Sequence, residues 1–95
     1  MSEVNHALAI MKLKAKKAQM DQISELMFSQ CGLCISEAHH QTNMSTFKII
    51  DGEDLVALIY YTDTVDIDMS EYTLTAVQLA SMNWAVNVLK KLLES

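Results

Sequence analysis

The chain has 95 residues, 51% of them apolar, and a formal net charge of −5 from 12 acids against seven bases, all of them lysine. One domain spanning residues 1–95 is expected, and at this size it buries only roughly 60 to 65% of its unfolded surface, so part of so large an apolar fraction is expected to meet another chain. The absence of arginine removes the forked guanidinium that reads guanine edges and phosphates, and no run approaches the ~18 apolar residues of a membrane span; neither nucleic acid nor membrane is expected as a partner.

The first segment, residues 2–41, reads as helical. Its start, Met1-Ser2-Glu3-Val4-Asn5-His6, lacks the basic-then-apolar layout of a signal peptide, which with two closely spaced cysteines predicts a reducing, cytoplasmic setting. Ser2 is placed to cap a helix with Glu3 in its first turn, and no strong breaker follows until about Gln30. One apolar stripe runs Val4, Leu8, Met11, Ala15, Ala18 and a second runs Met20, Ile23, Met27, Cys31, Cys34. Because the stripes are offset around the axis, either the helix bends near Ala18 to Met20 or its halves pack against different neighbours.

Residues 46–69 change period. Thr46 to Ile50, then Asp51-Gly52, then Leu55 to Tyr61 predicts a hairpin, Asp-Gly suiting a type I′ turn. Leu55–Tyr61 is also compatible with a buried helical turn. Thr64 to Met69 alternates strictly, which sends Val65, Ile67 and Met69 inward and Asp66 and Asp68 outward. Residues 70–94 read as a helix capped by Ser70, with Glu71 at its positive end and Lys90 and Lys91 at its negative end. The expected fold is α+β: a long N-terminal helix, a small antiparallel three-stranded sheet and a C-terminal helix packed on it.

The residues that could carry chemistry are few. Cys31-Gly32-Leu33-Cys34 with His39-His40 supplies the soft sulfur and imidazole nitrogen of a four-ligand zinc site or a thiol-redox pair. The short return from Cys34 to His39 is unlike the longer loop of zinc sites, and the cysteines equally extend the apolar stripe as small buried groups. Both histidines then read as residues near a helix C-terminus, where the dipole favours their charged form. Two isolated glycines make no phosphate cradle, and no histidine lies near the acidic stretch that would orient it, so no catalytic residue, no enzyme and no cofactor are expected.

Charge distribution is more informative. Seven acids and no base lie between Asp51 and Glu71, while the remaining chain holds five acids and seven lysines, four of them at positions 12, 14, 16 and 17. The middle is thus −7 and the rest +2, an asymmetry that steers a basic partner to the acidic side. Asp63, Asp66 and Asp68 with Tyr60 and Tyr61 are the expected contact residues for such a protein, tyrosine being a favoured interface anchor. The two tyrosines alternate across a strand, so at most one belongs to the core. The string Leu58-Ile59-Tyr60-Tyr61, followed by an acidic loop and a helix, resembles a stretch of the bacterial nuclease-toxin immunity proteins, small acidic inhibitors with paired tyrosines. Those proteins are all-helical and carry a proline where this chain has Thr62.

The expected function is therefore a small non-enzymatic regulator, inhibitor or adaptor that presents an acidic surface to a basic protein. The alternative is the metal or redox module on Cys31, Cys34, His39 and His40. A homodimer is also expected. The C-terminal helix carries two apolar stripes, Leu74, Val77, Ser81, Trp84, Val88, Leu92 and Leu79, Met82, Val86, Leu89, Leu93, with Ala85 between them. One sheet covers about one of them, which assigns Leu79, Met82, Val86, Leu89 and Leu93 to a seam between copies unless the bent N-terminal helix fills that place.

Overall fold

A computed structural model describes residues 3–95, with side chains from residue 6 onward. The expected cap Ser2 and the side chains of Glu3 and the stripe residue Val4 lie outside what is described.

The N-terminal helix is two helices, α1 (Glu3–Ala15) and α2 (Lys17–Cys31). They meet at Lys16, whose φ of −98° and ψ of 7° leave the helical region. The helix does break, a few residues ahead of the expected place, but the first apolar stripe does not face the core: Leu8, Met11, Ala15 and Ala18 are exposed. Ala9 and Leu13 are buried from α1, and Met20, Ile23 and Met27 from α2, so both helices keep one face on the same core.

The helix ends at Gly32. Its φ of +81° is the left-handed conformation that glycine adopts without a steric penalty, and its N–H closes the last turn on the Phe28 carbonyl. The helical reading of residues 32–41 is therefore corrected. Two short strands occupy this segment, β1 (Leu33–Ile35) and β2 (His39–His40), and both pair antiparallel with the strand that follows them.

The meander follows as β3 (Ser45–Asp51), β4 (Asp54–Tyr61) and β5 (Val65–Met69), giving five strands rather than three in the order β1-β3-β4-β5, with β2 also on β3. Leu55–Tyr61 is strand. The β3–β4 turn has two central residues, Gly52 and Glu53, and only Gly52 has positive φ, at +61°. That is the sign pattern of a type II′ turn, not the expected type I′. Val56 is an extra residue in β4: Ile49 pairs with Ala57 but Ile50 with Leu55. The bulge lets two successive residues, Val56 and Ala57, both be fully buried.

The final helix, α3 (Ala76–Glu94), starts six residues later than Ser70. Thr75 caps it in a capping box, its hydroxyl accepting from the Gln78 N–H while the Gln78 side chain accepts from the Thr75 N–H. Ser70 serves the sheet end instead, its hydroxyl donating to the Leu55 carbonyl. The helix layer runs antiparallel: Ser81 of α3 donates to Gln30 at the end of α2, while Lys12 of α1 donates to the carbonyls of Leu93 and Ser95.

The three helices cover one face of the sheet. Phe47, Ile49, Ala57, Ile59, Tyr61 and Val65 point into the layer between, where they meet Met82, Ala85, Val86, Leu89 and Leu93 of α3. Of the inward residues expected on β5, Val65 is buried and Ile67 half-buried, but Met69, at the strand end, is exposed.

Four of the five residues assigned to the intersubunit seam are interior to the chain. Met82, Val86, Leu89 and Leu93 are 0 to 7% exposed, and Leu79 alone of the set is open. The bent α1–α2 pair fills the place that a second copy was expected to take.

Candidate protein-binding face

The uncovered face of the sheet is built by alternation. With Phe47, Ile59 and Ile67 pointing to the helices, their neighbours Thr46, Tyr60 and Asp66 must point away, and the pairing aligns these three in one row with His39. The next row on the same face is Lys48, Leu58, Asp68, and beyond it Cys34, Ile50 and Leu55. Asp66 and Asp68 are exposed, whereas Tyr60, Leu58, Ile50 and Cys34 are half-buried and form an apolar floor beside the acids. Tyr60 and Asp66 also line a depression of about 290 Å³ with Asn43, Met44, Tyr61 and Thr62.

Four of the five expected contact residues stay accessible. Tyr60, Asp66 and Asp68 share this face, and Asp63 lies exposed in the β4–β5 turn at its rim, its carboxylate accepting from the Thr62 hydroxyl. Tyr61 does not belong to the set. It points to the helix side, is 2% exposed and donates its hydroxyl to the Leu93 carbonyl at 2.8 Å. Burial, then the charges of Asp63 and Glu94, holds its phenol above the ordinary range. Among the described residues the only ion pair is Lys17 with Asp21, at 3.0 Å, so Asp63, Asp66 and Asp68 carry unpaired charge. Asp51, by contrast, is engaged inside the molecule, accepting from the Tyr72 hydroxyl and from Gln78. Lys48 is a base on this face that counting along the acidic stretch does not register.

The four candidate metal ligands are not gathered. Cys31 closes α2 and donates to the Met27 carbonyl, while Cys34 lies on the open face opposite Ile50. His39 is on that face too, but opposite Thr46, four residues along β3 and therefore roughly 13 Å away. His40 turns to the helix side, its Nδ1 2.7 Å from the Ser45 hydroxyl. No group of three or more histidine, cysteine or acidic side chains converges among the described residues. Nor do the histidines stand at a helix C-terminus: both are on β2, and burial together with Lys14, His6 and His39 lowers the His40 pKa, favouring its neutral form.

A second concavity, of about 210 Å³, lies under the helix bend between Leu13, Met20, Ile35 and Ala38, with Lys14, Lys17, Asp21, Glu37 and His40 on its rim. Nothing in the sequence pattern points to it, because it exists only once β1 and β2 fold back beneath α1 and α2. Its four formal charges cancel.

No described helix is long and apolar enough to cross a membrane. Comparison with protein-family models, with curated proteins and with solved structures matched none of them to this chain.

Proposed function

We propose that the protein is a cytoplasmic, non-enzymatic binding module, a regulator, inhibitor or adaptor, whose uncovered sheet face engages a basic protein. The observation that carries this reading is the row in which Tyr60 stands directly opposite Asp66, with Asp68 two residues on, on a face that no described helix covers. A half-buried aromatic ring and apolar neighbours ringed by unpaired carboxylates have the anatomy of an interface, an apolar centre with a charged rim. On a face that is merely solvated, the acids would only blunt the edge strand β5. The Leu58–Tyr61 string lies on a strand here, so its resemblance to the helical immunity proteins is confined to the residues themselves.

The test uses the intact protein as bait in its native host, followed by titration of the captured partner. Asp66→Lys with Asp68→Lys should abolish capture and leave the circular dichroism and melting temperature unchanged, since both side chains are exposed. Tyr60→Ala should weaken binding by about 2 kcal/mol or more if the ring is the anchor. Raising salt should slow association. Capture that survives the double reversal sinks the reading.

A further inference from the structure

We infer that β5 takes up one further strand along its free edge, supplied by a partner segment that carries Lys or Arg at alternate positions. The inference rests on the acidic-face reading above and adds the backbone by which the partner is held. β5 ends the sheet, and the hydrogen bonds of an antiparallel strand alternate between its two sides. The Ser70 N–H donates to the Val56 carbonyl of β4, so with Leu58 opposite Asp68 and Tyr60 opposite Asp66, residues 66, 68 and 70 turn their backbone groups to β4. Val65, Ile67 and Met69 therefore turn theirs outward, and the Val65 N–H accordingly donates to the Glu94 carboxylate. The N–H groups of Ile67 and Met69 and the carbonyls of Val65, Ile67 and Met69 meet no partner among the described residues. Such a row is a template for an added strand. The opposite edge is broken: it consists of β1 and β2, three and two residues long, with residues 36–38 between them.

Charge selects the occupant. Residues 62–72 hold four acids, Asp63, Asp66, Asp68 and Glu71, and no base, and Glu94 adds a fifth acid at the Val65 end. Against them stand Lys48, two strands in from the edge in the row of Asp68, and Lys90, one helical turn before Glu94. A second copy is the wrong occupant. Paired antiparallel about Ile67, it would set Asp66 opposite its Asp68 and Asp68 opposite its Asp66, and like charges directly opposite destabilise a strand pair. A segment with basic residues at positions i and i+2 instead sets both of them against the two aspartates on the open face, and the residue between them stands beside Ile67.

The probe is a blocked heptapeptide, Thr-Val-Lys-Val-Lys-Val-Thr, titrated into the intact protein by NMR. Its control, Thr-Lys-Val-Val-Lys-Val-Thr, has the same composition and charge but sends its lysines to opposite faces of a strand. The first peptide should bind at least about fivefold more tightly than the second and should slow hydrogen exchange at the Ile67 and Met69 amides. Met69→Pro removes one outward donor while it alters no charge and breaks no bond to β4. Met69 is 45% exposed at the strand end, so the variant should keep its circular dichroism and weaken the first peptide by a similar factor. Equal binding of the two peptides, or exchange at Ile67 and Met69 that the first peptide leaves unslowed, overturns the inference. So does wild-type affinity in Met69→Pro. Capture of the native partner separates the two readings: loss in Asp66→Lys with Asp68→Lys but not in Met69→Pro leaves the acidic face standing and removes the added strand.

Discussion

His40 shows how one residue's surroundings set its chemistry. It carries a Ser45 hydroxyl on Nδ1, and burial first, then the charges of Lys14, His6 and His39, pushes its pKa below the ordinary 6.5. Below about pH 6.5 the unfolded chain binds the proton that the folded chain resists. This contribution to stability is therefore complete above that pH and is lost as the pH falls toward the folded value. The melting temperature should drop between about pH 7 and about pH 5, and His40→Gln should flatten the drop; parallel curves for the two proteins would exclude the effect. At this scale the sequence was partly legible. Period-two alternation puts Tyr60 and Tyr61 on opposite faces, but which face the helices cover is decided by elements far away in the chain, so both remained candidates until Tyr61 proved to be the buried one.

Among the elements, the start of α3 is the clearest lesson. Ser70-Glu71 and Thr75 through Gln78 both carry capping chemistry, but only the second has the side chain three residues on that returns the hydrogen bond. Thr75→Ala should cost about 1 kcal/mol in urea unfolding, whereas retention of full stability would mean that the box contributes nothing. The strands β1 and β2 were hidden for a different reason. Three and two residues long, they depend on β3 for their partners, and the three-residue spacing of Cys31 and Cys34 continues a helical stripe. Gly32 was visible as a break point, yet nothing local says that the chain turns back rather than resuming the helix. The hairpin was legible because Asp51-Gly52 sits between two apolar runs, although the turn type depends on register, which the bulge at Val56 shifts.

For the molecule as a whole, the packing of α3 decides what the apolar surplus does. Leu89 is fully buried within one chain, so Leu89→Ala should destabilise by about 2 to 5 kcal/mol independently of protein concentration. A loss that grows on dilution would instead place Leu89 between copies. The α+β class and the order of helix, meander and helix follow from periodicity; that α1 and α2 cover one stripe of α3 does not, because it depends on the bend at Lys16. The same packing leaves the last residues of the described chain holding distant parts together: Leu93 accepts from Tyr61 and Lys12, and Glu94 accepts from the Val65 N–H at 2.7 Å. The first helix is made first on the ribosome, yet the bonds that Lys12 forms here do not exist until residues 93–95 have been synthesised. The contacts that Lys12 makes therefore close only after residues 93–95 have left the exit tunnel, long after α1 itself has emerged.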